Sequence, residues 1–178
     1  MVISTTSLSG LLVLHTTLFE DARGVFRKLF NETFFRENGL AVDFKEFYYS
    51  INRKDVIRGM HFQTPPADHE KLVYVSQGRI LDVVVDIRRT SPTFGKYFEM
   101  ELSGEEGDYL YIPKGFAHGF CSLVDGTAVH YAQTSCYDRE HDHGIAYHSF
   151  GYTWPVADPV VSERDRSFPS LQQYKSPF

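Results

Sequence analysis

Apolar residues in this chain come in short runs, never in a long helical stripe. Ten stretches rich in Val, Ile, Tyr and Phe are bounded by Gly, Pro, Asp and Ser: Leu11–His15, Gly24–Phe30, Phe44–Ser50, Val56–Phe62, Lys71–Ser76, Arg79–Ile87, Lys96–Leu102, Tyr109–Ile112, His118–Leu123 and Ala128–Thr134. Runs of this length and composition read as strands. Gly78 between two of them suggests a hairpin at Ser76-Gln77-Gly78-Arg79. One helix is expected, capped by Asn31 and stopped at Gly39. About ten strands and one or two brief helices predict an all-β chain, a barrel or folded-over sheet. The length of 178 residues suits one domain spanning 1–178. The segment after Trp154, rich in Pro, Ser and charge, is expected to lie over the surface.

Charge and cysteine content narrow the function classes. A net charge of −5 gives no global attraction to nucleic acid, so phosphate binding must be local. The run Leu11–Leu14 is too short for a membrane span or a signal core. Cys121 and Cys136 are too few for a disulfide framework and are expected to be reduced and buried, as in a cytoplasmic protein. Aromatic residues are abundant, 15% of the chain, and Phe26, Phe30, Phe94, Phe116 and Phe120 are expected to pack the core.

Alternation along Arg79–Ile87 puts Leu81, Val83, Val85 and Ile87 on one wholly apolar face. The other face mixes Ile80 and Val84 with Asp82 and Asp86, as a strand between a core and a polar cavity would. In Arg58-Gly-Met-His-Phe-Gln63, alternation sets His61 and Gln63 opposite Arg58, Met60 and Phe62. Lys71, opening the next strand, would share a mouth with His61, and a nearby cation keeps an imidazole neutral and basic. In Ala128–Thr134, Tyr131 shares a face with Val129 and Gln133.

The spacing Pro113-x-Gly115-x-x-His118 is the second signature motif of the cupin superfamily, in which Pro and Gly fix a rim turn and the His points inward. A metal cupin would also carry His-x-His in its first motif. Here His61 is followed by Phe62 and Gln63, while His69 and Glu70 adjoin Lys71, whose charge opposes a metal. No metal is therefore expected, and His141-x-His143 is expected to be solvated surface.

The ordered set Phe19-Glu-Asp-Ala-Arg-Gly24, Ile57-Arg-Gly-Met-His-Phe-Gln63, Lys71-Leu-Val73, Asp82-Val-Val-Val-Asp-Ile-Arg88, Ser91-Pro-Thr-Phe-Gly95, Ile112-Pro-Lys-Gly-Phe-Ala-His-Gly-Phe120, Tyr131, Tyr137, Trp154-Pro155 and Val161-Ser-Glu-Arg-Asp165 resembles the dTDP-4-dehydrorhamnose 3,5-epimerase family over nearly the whole chain. The resemblance implies a cupin jelly roll with one or two peripheral helices, a homodimer, and no cofactor. It implies a nucleoside-diphosphate 4-keto-6-deoxy sugar as substrate, and enolisation at C3 and/or C5. By position His61 is the implied base, Asp165 its carboxylate partner, Tyr131 the acid and Lys71 the enolate-stabilising cation. Arg23 and Arg58 are implied diphosphate ligands, and Gln63, His118 and Tyr137 are implied around the sugar and base.

The departures concern substrate binding. Glu46-Phe47-Tyr48-Tyr49-Ser50 stands where the family commonly has Gln-Asp-Asn-His-Ser, and Lys28 where it commonly has Glu. Tyr147-His148-Ser149 replaces a common Trp-Asn-Asp. Glu46, Tyr48 and Lys28 therefore join the candidate binding residues. A single-centre epimerase acting on another sugar or base is the alternative within the same chemistry; a metal-dependent cupin is the alternative outside it.

Overall fold

The computed structural model describes residues 1–178. The strands are β1 Val2–Thr5, β2 Leu12–His15, β3 Leu18–Asp21, β4 Gly24–Arg27, β5 Glu46–Asn52, β6 Ile57–Gln63, β7 Lys71–Gln77, β8 Arg79–Asp86, β9 Tyr97–Ser103, β10 Asp108–Ile112, β11 Phe116–Ser122, β12 Thr127–Gln133 and β13 Asp142–Gly144, with helices α1 Glu32–Glu37 and α2 Glu163–Arg166. A six-stranded antiparallel sheet runs β1-β2-β10-β7-β12-β5 and a five-stranded one β13-β6-β11-β8-β9. The pair β3–β4 stands apart as its own ribbon. This is the all-β jelly roll of the cupins. Each of the ten predicted runs overlaps a strand, with ends shifted by at most three residues.

Three layers of side chains hold the sheets. Val73, Val75, Leu110 and Val129 of the larger sheet meet Ile80, Val84, Phe116 and Phe120 of the smaller one. The outer face of the six-stranded sheet is capped by α1, whose Phe35 is fully buried against Leu14, Leu72 and Tyr109. Burying one such side chain stabilises by roughly 1.5–3 kcal/mol. Asn31 caps α1 as expected, its Oδ1 accepting from the Phe34 N–H at 2.9 Å. Gly39 adopts φ +70° just beyond the helix.

The third layer revises the expectation for the tail. Trp154, Val161, Leu171, Tyr174 and Phe178 pack on Val83, Val85 and Ile87, so the C-terminal segment covers the outer face of the five-stranded sheet. Both faces of β8 are therefore buried. Asp82 is fully buried and bonds the cavity-lining His118; Asp86 is taken up at the strand end by Arg88, Ser91 and Thr93.

Other expectations are corrected. Residues 76–79 are no hairpin, because β7 pairs with β10 and β12 while β8 pairs with β9 and β11. Gly78, at φ +78°, turns the chain from one sheet into the other, and a Cβ there would meet Thr127 Oγ1 at 2.4 Å. His141-x-His143 straddles β13, which pairs with β6 rather than standing free in solvent. Cys136 is exposed; Cys121 is buried, and both thiols are free. Phe26, Phe30 and Phe94 are exposed, whereas Phe116 and Phe120 are core. β1, β3 and β13 carried no apolar alternation, and they exist because a neighbouring strand offers them a ladder. No helix is long and apolar enough to cross a membrane.

Candidate active site

A cavity of about 440 Å³ opens between the sheets, within the range of small-molecule sites. His61, Lys71, His118, Tyr131, Arg58 and Tyr48 all line it.

Strand β6 builds the centre. Its register with β11 pairs His118 with His61 and Phe120 with Arg58, so three steps on β6 match two on β11. The extra residue is a bulge, and it moves Arg58 onto the face of His61, against the alternation reading. Glycine is required here: Gly59 has φ +131°, and a Cβ on it would lie 2.5 Å from Gly119 Cα. The bulge leaves the Gly59 N–H outside the ladder, and it donates to Asp165 Oδ2 at 3.1 Å.

Asp165 arrives from the far end of the sequence. Ser162 caps α2, and a parallel bridge between Val56 and Val160 ties the approach to β6. His61 Nε2 donates to Asp165 Oδ1 at 2.9 Å, which leaves Nδ1 as the basic nitrogen. Burial pushes the Asp165 carboxyl up, but hydrogen bonds from His61, Gly59 and Ser162 outweigh it and hold the carboxyl below the ordinary range. Phe168 packs edge-on against the His61 ring at 5.7 Å and fixes its plane.

A second pair lies beside the first. His118 Nε2 donates to Asp82 Oδ2 at 2.8 Å. Burial dominates and lowers the His118 pKa although Asp82 opposes it, so the ring is neutral. Lys71 is also buried. Desolvation lowers its pKa to about 8, while Asp82 and Asp142 pull it upward. Tyr131 is kept protonated by burial, then by Tyr48 and Asp82.

Arg58 is aimed by Asn52, whose Oδ1 accepts from Arg58 Nε at 2.7 Å. Asn52 is itself fixed to Ser50 and the Thr127 carbonyl. Gln63 lines the cavity, yet its amide is committed to the rim: Nε2 donates to the Ala67 carbonyl and Oε1 accepts from the Asp138 N–H. Tyr137 and Glu46 meet at the mouth, the Tyr137 N–H donating to Glu46 Oε2. His61, Lys71, Tyr131, Asp165, Arg58, His118, Gln63, Tyr137, Glu46 and Tyr48 are thus brought together.

Arg23 and Lys28 are not. Arg23 sits exposed at the tip of the β3–β4 ribbon, paired with Asp21, and Lys28 is exposed just beyond it. The sequence reading left out Asp142 and Arg164, an ion pair at 2.6 Å on the cavity wall. It also left out His69, buried beside Lys71 with its pKa lowered by burial to about 3. Asp82 was signalled by the mixed face of its strand. No three His, Cys, Asp or Glu side chains converge as a metal site.

A sequence model of the family described as dTDP-4-dehydrorhamnose 3,5-epimerase matches residues 5–173. The chain belongs to the dTDP-4-dehydrorhamnose 3,5-epimerase family. It is therefore an isomerase. A dTDP-4-dehydrorhamnose 3,5-epimerase of Methanothermobacter thermautotrophicus is 40% identical over 94% of this chain and 93% of its own. The Bacillus anthracis dTDP-4-dehydrorhamnose 3,5-epimerase, solved with TDP and PPi bound, superposes with a TM-score of 0.91 at 37% identity, over 94% and 98% of the two chains. The Legionella pneumophila dTDP-6-deoxy-D-glucose-3,5-epimerase in complex with dTDP-4-keto-L-rhamnose gives 0.92 at 34%, over 97% and 94%. In this epimerase family setting, the His61–Asp165 pair, Tyr131 and Lys71 share one cavity in this chain.

Proposed function

We propose that the protein inverts C3 and C5 of a dTDP-4-keto-6-deoxy sugar, in deoxysugar biosynthesis, using only its own side chains. Hydrogens on C3 and C5 lie alpha to the C4 ketone. His61 Nδ1 takes one as a proton, and the C–H electron pair moves into the ring as the C4–O π pair moves onto O4. Lys71, protonated below about pH 8, stabilises the enolate oxygen. The O4 pair then re-forms the ketone, and the carbon takes a proton from Tyr131 Oη on the opposite face. The tyrosinate and the imidazolium return to their starting states by exchange with water. Arg58 faces the diphosphate, where a planar fork suits phosphate oxygens, and His118 hydrogen-bonds the sugar.

The observation that carries this reading is a base on one sheet and a protonated tyrosine on the other, facing one cavity that a buried lysine also lines. A base alone would exchange protons without clean inversion. In D2O, Tyr131→Phe should keep deuterium wash-in at the reacting carbons and lose most inversion, followed by NMR of the product. Normal inversion by Tyr131→Phe would overturn the acid assignment.

The working unit we propose is a homodimer, each chain of 178 residues serving as one catalytic unit. The β3–β4 ribbon exposes Phe19, Val25 and Phe26, and β5 exposes Phe47, Tyr49 and Ile51. Apolar surface of this extent marks an interface, and it would carry the exposed Arg23 toward the partner's diphosphate site and Lys28 with it. Sedimentation at about twice the 20.5 kDa chain mass is expected, and a monomer would remove Arg23 from the site. Two free thiols, one of them exposed, suit the reducing cytoplasm.

A further inference from the structure

Tyr48 lines the cavity on β5, beside the proposed proton donor. It lies directly opposite Tyr131 in the β5–β12 ladder. The two rings stack with centroids 4.6 Å apart and planes 15° from parallel. The far end of Tyr48 is tied down, because Gln133 Nε2 donates to its hydroxyl at 2.5 Å and Gln133 is itself buried. Tyr131 meets the edge of His118, with ring centroids 6.3 Å apart. Its ring is therefore held on its face by Tyr48 and from the side by His118.

We infer that Tyr48 is the positioning residue for the proton donor: its stacked ring fixes the plane of Tyr131, and so the line along which Tyr131 delivers its proton. This rests on Tyr131 being the acid, as proposed above. The enolate has two fates. It takes a proton from Tyr131 and inverts, or it takes one back from His61 and returns to substrate with its hydrogen exchanged. Misplacing the donor by an ångström slows the first fate and leaves the second untouched. The ratio of inversion to exchange therefore reads the position of Tyr131, whereas general loosening lowers both rates together.

The experiment uses full-length enzyme, dTDP-4-keto-6-deoxyglucose in D2O, and NMR of deuterium at C3 and C5. Tyr48→Phe keeps the stack and should keep the ratio within about twofold. Tyr48→Ala should lower the ratio roughly tenfold or more, inversion falling by that much further than exchange, in line with donor misplacement. Tyr48→Leu, which restores bulk without a flat face, should fall between and serves if the alanine variant does not fold. A wild-type ratio in the alanine or leucine variant would overturn the inference, as would inversion and exchange falling in step. Tyr131→Phe run alongside separates the two failures. If it inverts normally, the acid assignment itself has failed. If it loses inversion while Tyr48→Ala keeps it, only the role of Tyr48 has failed.

Discussion

Two His–carboxylate pairs stand side by side in this cavity, and their hydrogen bonds are almost the same length, 2.9 Å for His61–Asp165 and 2.8 Å for His118–Asp82. The histidines face each other in direct register across β6 and β11. Their surroundings differ. The His61 side chain is 31% exposed and that of His118 is 4%. Asp165 receives both His61 and the freed Gly59 N–H, while Asp82 keeps one buried oxygen, Oδ1, without a hydrogen-bond partner. The dyad bond therefore does not make a base. Access to a substrate hydrogen does, together with a carboxylate whose charge is fully satisfied. The largest expected effect tests this: His61→Asn should abolish deuterium wash-in, a loss of about 10³-fold or more. His118→Gln, whose longer amide can reach the Nε2 position and donate to Asp82, should slow turnover only about tenfold, because it removes a hydrogen-bonding ring and not the proton acceptor. Equal losses would make the two pairs equivalent and break the assignment of His61 as base.

The sequence makes these pairs legible to different depths. The strand runs and the Pro113-Gly115-His118 turn are local, and the structure contains all ten strands and the inward His118. Asp82 shows as a carboxylate among aliphatics on an alternating strand. The link between His61 and Asp165 spans 104 positions and depends on a bulge at Gly59, a helix of four residues and a tail packed as a core layer. Nothing in local pattern reports such a link, and it was reached only through family resemblance. The bulge also explains why simple alternation put Arg58 on the wrong face: one extra residue inverts every side chain before it. Arg23 and Lys28 show the opposite limit. Their motif is plain in the sequence, but a single chain holds them away from its own cavity.

The buried pair also acts on the buried cation, Lys71. Lys71 titrates near pH 8, and in the proposed mechanism only its protonated form stabilises the enolate. Turnover should therefore fall as pH rises through about 8, and Lys71→Met should remove that limb and slow turnover roughly 10²–10³-fold. Asp82 is one of the two carboxylates that raise the Lys71 pKa. Asp82→Asn should move the limb to lower pH, whereas Asp165→Asn should leave it in place. A limb unmoved by Asp82→Asn would separate the buried pair from the electrophile and leave Asp142 as the only carboxylate acting on it.

The smallest effect falls on stability in acid, where the less buried dyad is the one that shows. Asp165 has a folded pKa below its ordinary value, held there by its three donors against burial. Between that lowered value and the ordinary carboxylate pKa of about 3.9, the unfolded chain binds more protons than the native one, so stability rises with pH. The contribution is complete above the ordinary value and disappears as pH falls through the lowered one. Asp165→Asn removes this titration and also weakens the neutral-pH fold, since an amide satisfies Gly59 and His61 less well than a carboxylate. About 1–3 kcal/mol of stability should be lost at pH 7, read as a drop in Tm of several degrees. The variant's Tm should then decline less steeply than the wild type's below pH 4. Parallel declines would mean that the charge on Asp165 serves the orientation of His61 alone and does not help to hold the C-terminal segment on β6.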